Sequence, residues 1–183
     1  TTEIYTLSLH DALPIFYHVL FHRKIHFFSQ SQSMYRFKYS NKREYAVFYA
    51  KEAVRVYGDW IRRKQIEAIV PVPMYRWKEK GRGYNQAAVF ALALGEKMNL
   101  PVEKHMVKRI RNTTPQKELN DVERKANLKK AFQLVPNIVK YRKILIVDDI
   151  YTTGSTIDAV AEVLLQAGVD EIYFLCISIG EGF

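Results

Sequence analysis

Two adjacent carboxylates follow an apolar run near the end of the sequence, in residues 144–149 (ILIVDD). A continuously apolar run is typical of a parallel strand that is covered on both faces. Such a strand ends at the carboxyl edge of its sheet, which is where open α/β sheets bind ligands. The sequence therefore predicts that Asp148 and Asp149 belong to a ligand site.

Hydroxyl side chains and a glycine come soon after the two acids. A glycine permits a tight turn, and hydroxyls together with the backbone N–H groups at the start of a helix form a cradle for phosphate, which the helix dipole also favours. Ribose 5-phosphate fits both features, because it carries a phosphate at one end and vicinal hydroxyls at the other. The residues predicted to bind the phosphate are Thr152, Thr153, Gly154, Ser155 and Thr156.

Residues 144–156 as a whole resemble the phosphoribosyl pyrophosphate (PRPP) signature of type I phosphoribosyltransferases. The resemblance implies that Asp148 and Asp149 contact the ribose hydroxyls, that residues 152–156 bind the 5′-phosphate, and that Mg²⁺ is held indirectly, through PRPP. The alternative is a buried strand that ends in a solvated acidic turn, followed by threonines that only cap a helix. ATPase and dinucleotide-binding functions are excluded, because neither G-x-x-x-x-G-K-[ST] nor G-x-G-x-x-G occurs.

Other blocks of the sequence are similar to the ComF/GntX family, which has a phosphoribosyltransferase-like domain and is associated with competence, the uptake of DNA by bacteria. The blocks are YRFKY at 35–39, VPVP at 70–73, RGYNQ at 82–86, Arg109 with Thr114 and Gln116, Arg124 with Asn127, and AF at 131–132. The resemblance covers residues 35 to about 179. It implies PRPP or a phosphorylated ribose as ligand, and proteins of the competence machinery as partners.

Basic residues follow Pro73, where the resemblance places the pyrophosphate-binding loop of a phosphoribosyltransferase. Cationic groups there would neutralise a pyrophosphate leaving group. Arg82 is the strongest candidate, because it stands between two glycines and directly before a helix start. For Arg76, Lys78 and Lys80 a solvated surface loop is an equally good interpretation.

The polar residues 110–130 are expected to form a flexible hood over the ligand, with Arg124 closing over bound PRPP. A catalytic base is not identified, since Tyr151, Glu118 and Glu123 all remain open. The acceptor substrate is equally open, because acceptor specificity in type I enzymes lies in the variable hood.

Hydrophobic periodicity predicts an α/β fold with a mostly parallel sheet flanked by helices, like that of type I phosphoribosyltransferases. Helices are predicted over 44–63, over 85–98 with Asn85 as the N-cap, and over 156–167 with Gly168 as the terminator. Residues 74–84 are predicted to be a loop. The predicted strands are 66–70, 102–107, 143–147 and 172–177.

Composition limits the class of protein. Hydrophobic residues make up 48% of the 183 residues, which supplies a core and argues against a disordered chain. No apolar run approaches the roughly 18–20 residues of a membrane span. A disulfide framework is excluded because Cys176 is the only cysteine. A cytoplasmic setting fits.

The beginning of the sequence is interpreted separately from the rest. Residues 1–15 (TTEIYTLSLHDALPI) match the conceptual translation of a common short-read sequencing adapter and are expected to be a non-native scar. Residues 16–34 are expected to be an N-terminal remnant, and residues 35–183 the phosphoribosyltransferase-like domain. Many ComF members begin with a four-cysteine zinc module, so the sequence looks truncated there and no zinc is expected in this chain.

Two function classes remain after this reasoning. The first is an enzyme, a magnesium-dependent phosphoribosyltransferase that uses PRPP and an unknown acceptor. The second is a non-catalytic nucleic-acid-binding accessory module in DNA uptake, to which the net charge of +9 would contribute. Weak, salt-dependent binding of single-stranded DNA is expected, and Tyr75 and Trp77 are the aromatic residues that would stack on bases.

Overall fold

Helices and strands alternate along most of the chain. The computed structural model describes residues 18–20, 30–40, 42–111, 130–135 and 139–179. Strands β1 (His18–Leu20), β6 (Glu171–Ile179), β5 (Lys143–Tyr151) and β2 (Ala68–Pro71) are hydrogen-bonded in that order and all pairs are parallel. The predicted α/β class with a mostly parallel sheet is therefore confirmed. The elements are β1 (His18–Leu20), α1 (Gln30–Tyr39), α2 (Glu44–Arg63), β2 (Ala68–Pro71), α3 (Arg76–Arg82), α4 (Gln86–Met98), β3 (Val107–Arg109), β4 (Phe132–Leu134), β5 (Lys143–Tyr151), α5 (Ser155–Gln166) and β6 (Glu171–Ile179).

Strand β5 is the central strand that the apolar run predicts, because it is paired with β2 on one side and β6 on the other. Its side chains alternate between the two faces of the sheet, as the strand period of two requires. Leu145 and Val147 pack with α2 and α4, whereas Ile144 and Ile146 pack with α5. Because helices cover both faces of the sheet, the four successive apolar residues 144–147 are all buried.

Asn85 ties the start of α4 to the end of β2. Its side-chain oxygen accepts a hydrogen bond from the backbone N–H of Ala87 at 3.0 Å, which is the predicted N-cap. Its amide group donates to the backbone carbonyl of Val72 at 2.9 Å, and the Val72 N–H donates to the carbonyl of Val147. The cap therefore anchors α4 beside the edge of the sheet at which the two acids lie.

The predicted strand at 102–107 is wrong. Only Val102 pairs with the sheet, in a single parallel bridge to Ile69. The chain then turns, and β3 pairs with β4 in a separate antiparallel ribbon. The ribbon packs on the α5 side of the sheet through Met106 and Phe132, among others.

The predicted loop at 74–84 is also partly wrong, because residues Arg76–Arg82 form the short helix α3. The helix ends at Gly83, which has a positive φ of 84° and donates its N–H to the carbonyl of Glu79. The two glycines of this segment favour a loop, but only Gly83 needs the conformation that glycine provides.

None of the helices within the described ranges combines the length and the apolar character needed to cross a membrane.

Candidate functional site

Asp148 and Asp149 lie near the carboxyl end of β5, as the sequence predicts. The backbone N–H of Asp149 donates to the Asp148 carboxylate at 2.8 Å. Across the sheet, Asp148 pairs in register with Cys176 of β6, whose side chain is buried. The two acids therefore lie near the carboxyl edge of the sheet, where open α/β sheets bind ligands, and Asp148 is next to the buried Cys176.

Burial is the main influence on the ionisation of Asp148. Desolvation raises the pKa of Asp148 well above its ordinary value, the neighbouring Asp149 charge raises that pKa further, and Lys38 opposes the shift. Burial, and then the charges of the two acids, also raise the pKa of the Cys176 thiol. Ionisation of Asp148 is therefore unfavourable, and a nearby cation or hydrogen-bond donor would favour its charged form.

A lysine of helix α1 forms an ion pair with the second acid. The Lys38 ammonium lies 3.1 Å from Oδ2 of Asp149, and only 16% and 13% of the two side chains are exposed. The sequence does not predict this contact. The single signal available in the sequence is the position of Lys38 within the family-like block YRFKY, and nothing in the spacing connects that block to β5.

The predicted phosphate loop forms a sharp turn into α5. Gly154 is the N-cap residue of α5 and has a positive φ of 77°, a conformation that favours glycine. As a glycine, Gly154 has no side chain that could cap the first N–H groups of the helix. Thr152 and Thr153 are exposed, and the Thr153 hydroxyl lies 3.0 Å from the hydroxyl of Ser155. Hydroxyls and backbone N–H groups thus meet at one helix start, the arrangement that binds anions.

Tyr151 explains why Gly154 has no room for a side chain. A Cβ atom at Gly154 would lie 2.6 Å from the phenol oxygen of Tyr151. The ring of Tyr151 is held in place by stacking on Phe174, with ring centroids 5.5 Å apart. The turn therefore requires glycine for its φ and for its contact with Tyr151.

Gly154→Ala is expected to destabilise the protein more than the same change at Gly168. Gly168 also has a positive φ, 91°, but nothing lies within 4 Å of its added Cβ. Gly168→Ala therefore measures the backbone cost alone, about 1 kcal/mol, while Gly154→Ala adds an overpacking cost of about 1–3 kcal/mol. Urea unfolding of both variants checks this. Equal losses of unfolding free energy would show that the contact with Tyr151 does not constrain the loop.

The predicted pyrophosphate residues fall into two groups. Arg76, Lys78 and Lys80 are exposed on α3, and the Lys80 ammonium lies 5.8 Å from the ring centroid of Trp77. Arg82 is partly buried at the end of the helix, where it donates to the Tyr39 hydroxyl at 3.4 Å. The structure thus brings Arg82 to the helix that carries Lys38, and leaves the other three facing solvent.

Arg109 of β3 is a further cation near the acids. Its guanidinium lies 5.3 Å from the ring centroid of Phe132. Burial lowers the pKa of Arg109, and the Asp148 carboxylate opposes that shift. The antiparallel ribbon therefore brings one positive charge within electrostatic reach of Asp148.

The candidate bases receive little support. Tyr151 is buried, and desolvation raises its pKa, so its phenol gives up a proton less readily than an ordinary tyrosine. Glu118, Glu123 and Arg124, with most of the predicted hood, lie outside the described residues.

Several of these features lie within a match to a known protein family. The phosphoribosyl transferase domain matches residues 85–178, which span the Asn85 cap, the acid pair and the glycine turn. The chain belongs to this family. The resemblance to the ComF proteins within it is confirmed by the relatives described next.

The matched relatives are competence and DNA-utilisation proteins. The chain is 41% identical over 108 residues to "Competence protein F" of Haemophilus influenzae, which covers 58% of this chain and 47% of that protein. It is 36% identical over 112 residues to "DNA utilization protein YhgH" of Escherichia coli, with coverage of 61% and 48%. The chain thus spans about half the length of these relatives.

Among solved structures, the purine phosphoribosyltransferase of Pyrococcus horikoshii is similar to this chain at 14% identity and a TM-score of 0.44, covering 71% of this chain and 72% of that one.

Proposed function

We propose that this phosphoribosyltransferase-family chain binds PRPP, or a 5′-phosphorylated ribose, together with Mg²⁺. The observation that supports the proposal most is the acid pair near the end of β5, followed after a short turn by Gly154, whose φ is positive, at the start of α5. The pair offers acceptors for two ribose hydroxyls, and the turn offers donors for a phosphate. One rigid strand–turn–helix unit supplies both.

Each part of the ligand has residues of this chain to hold it. Asp148 and Asp149 accept hydrogen bonds from the ribose hydroxyls, and residues 152–156 donate to the 5′-phosphate. We assign Arg82 to the pyrophosphate, and Arg76, Lys78 and Lys80 add exposed positive charge on the same helix. Carboxylates are the hard oxygen donors that suit Mg²⁺, which when bound with PRPP supplies charge neutralisation for the pyrophosphate.

Transfer of the phosphoribosyl group is the reaction class that this site would serve. Loss of pyrophosphate leaves positive charge on the ribose ring, and carboxylates bound to the ribose hydroxyls would stabilise that charge. Arg82 would at the same time stabilise the leaving pyrophosphate. The acceptor is not identified by the residues of this site.

The names of the relatives connect this activity with DNA uptake. This chain matches about half the length of "Competence protein F" and of "DNA utilization protein YhgH". We place the chain in the same process, in the cytoplasm and in contact with proteins of the competence machinery. Cys176, a buried free thiol, is compatible with a reducing compartment.

Calorimetric titration with PRPP in the presence of Mg²⁺ tests the proposal. We expect saturable binding that is lost when EDTA removes the Mg²⁺. Ribose 5-phosphate should compete, because it presents the same hydroxyls and phosphate to the acids and the turn. A folded protein that shows no heat of binding with PRPP at any Mg²⁺ concentration would contradict the proposed function.

Single-stranded DNA binding is a second candidate, favoured by an aromatic side chain on the surface. Trp77 is 70% exposed, beside Lys80 on α3. If the chain binds DNA by stacking, Trp77→Ala should cost about 1–3 kcal/mol of binding free energy, as should Tyr75→Ala. If charge alone binds DNA, these changes leave affinity unaltered, while Arg76→Ala with Lys78→Ala lowers the salt dependence.

Fluorescence anisotropy with a labelled oligonucleotide, measured across salt concentrations, separates the two outcomes. Tight binding that does not respond to salt would contradict both. The cations nearest to the acids favour the PRPP site as the main function, because Lys38 pairs with Asp149 and the Arg109 charge interacts with Asp148. Lys38 and Arg109 therefore lie close to the acid pair, whereas Arg76, Lys78 and Lys80 are exposed on α3.

A further inference from the structure

Lys38 occupies one oxygen of the acid that we assign to the ribose. Its ammonium contacts Oδ2 of Asp149 at 3.1 Å. A carboxylate has a second oxygen, and each oxygen accepts more than one hydrogen bond. The ion pair therefore fixes the orientation of the Asp149 carboxylate and still leaves an acceptor for a hydroxyl.

The turn that carries Lys38 is held by the start of α4. The buried hydroxyl of Tyr84 donates to the backbone carbonyl of Phe37, which is itself fully buried. The side chain of Gln86, also fully buried, donates from Nε2 to the carbonyl of Lys38 at 3.3 Å. These bonds attach the last turn of α1 to the body of the protein on both sides of the lysine backbone.

Arg82 belongs to the same network. Its guanidinium donates to Oε1 of Gln86 and to the hydroxyl of Tyr39, both at 3.4 Å. The guanidinium also lies 5.2 Å from the centroid of the Tyr39 ring. The arginine assigned to the pyrophosphate and the lysine on the ribose acid are thus linked through one buried glutamine.

We propose that Lys38 is a positioning residue of the ligand site, which acts by holding the Asp149 carboxylate in the orientation that receives the ribose. This inference rests on the proposed function and adds a residue that its acid pair and glycine turn do not contain. Hydrogen bonds from residues within 82–86 fix the backbone at Lys38, so α1 forms a wall of the site.

Electrostatics argues that Lys38 stays in place when ligand binds. PRPP is a polyanion, so its arrival increases the attraction for any nearby cation. Displacement of Lys38 would break an ion pair whose two side chains are mostly buried, and removing one partner from such a pair is costly. A lysine that only filled the site until ligand arrived would show the opposite behaviour, because its removal would strengthen binding.

The experiment is a double-variant cycle on the full chain. Lys38→Met, Asp149→Asn and the combined variant are compared with wild type, with PRPP and Mg²⁺ as the probe. Lys38→Arg is included because an arginine can keep the ion pair. Lys42→Met is the matched control, since Lys42 loses the same charge from an exposed pair with Glu44 near the same turn.

Lys38→Met is expected to weaken PRPP binding about tenfold, a size typical of coupled neighbours, and Lys38→Arg to restore most of the loss. The combined variant should bind about as weakly as Asp149→Asn alone, because Lys38 acts through that carboxylate. Lys42→Met should bind as wild type does. Unchanged or tighter binding by Lys38→Met, or losses that multiply in the combined variant, would overturn the inference.

Thermal unfolding without ligand provides a reading that is independent of PRPP. The losses of Tm in the two single variants should not add in the combined variant, because both remove the same ion pair. Additive losses would overturn the inference even if PRPP binds. Failure of wild type to bind PRPP would instead refute the proposed function, and with it the role of Lys38 toward a ligand, whatever the unfolding cycle shows.

Discussion

Asp149→Asn is expected to weaken the binding of PRPP with Mg²⁺ by roughly ten- to a hundredfold, equivalent to about 1.5–3 kcal/mol. The substitution keeps the size of the side chain but removes the charge that strengthens a hydrogen bond from a ribose hydroxyl. It also leaves the Lys38 ammonium, 16% exposed, without its carboxylate partner. We therefore expect the same variant to have a lower Tm than wild type.

Asp170→Asn is the matched control for this measurement. Asp170 is an exposed acid that lies 3.5 Å from Arg142, and the two side chains are 63% and 64% exposed. An exposed pair of this kind contributes little to stability. Calorimetry and thermal unfolding of both variants should show a loss of binding and of Tm at Asp149 only. Wild-type affinity in Asp149→Asn would show that the ribose is not bound by this acid.

The central parts of the fold are predictable because local sequence and tertiary structure agree there. The apolar run at 144–147 is stable only in a strand whose two faces are both covered, and β5 is such a strand. Asn85 precedes an alanine-rich helical run, and its side chain caps that helix. The acid pair and the glycine turn follow from the same strand, so their relative position is fixed by covalent connection.

One of the two mistaken elements depends on a partner that is distant in the sequence. Residues 102–107 have strand-like composition, but the sheet accepts only Val102, and the next residues find an antiparallel partner in β4. For α3, the hydrogen bond that ends the helix at Gly83 outweighs the presence of an internal glycine. The pairing with β4 is not visible in a local pattern because it is decided by packing, whereas α3 buries no residue and ends through a local hydrogen bond.

The cations of the site are the part that the sequence predicts least well. The motif places the carboxylates, but charge compensation comes from α1 and β3, which are far from β5 in the chain. Basic residues are common, and spacing does not select Lys38 among them. The selection is made by the hydrogen bonds from Tyr84 and Gln86 that fix the turn of α1.

Asp148→Asn is expected to have the opposite effect on stability from Asp149→Asn, although it also weakens ligand binding. Burial and the adjacent Asp149 charge raise the pKa of Asp148, so ionising it in the folded protein is unfavourable. Asparagine removes that cost and keeps the side-chain oxygen that accepts the Asp149 N–H. We expect Tm near pH 8 to rise by roughly 2–4 °C, the shift that about 1 kcal/mol produces in a chain of this size.

The sign of the pH dependence follows from the direction of this shift. Well below the ordinary pKa of 3.8, the carboxyl is protonated in the folded and unfolded chains, so the charge of Asp148 does not separate wild type from variant. As pH rises above that value, the unfolded chain ionises first, and wild type loses stability until the raised pKa of folded Asp148 is passed. The Tm advantage of Asp148→Asn should therefore appear with increasing pH and then level off.

Asp170→Asn should show no such gain in Tm. A Tm advantage for Asp148→Asn that shrinks as pH rises would show that the charge of Asp148 does not destabilise the folded protein. With the expected result, the acid that costs stability in the free protein is one that the ligand needs, so PRPP with Mg²⁺ should raise the Tm of wild type and leave that of Asp148→Asn nearly unchanged.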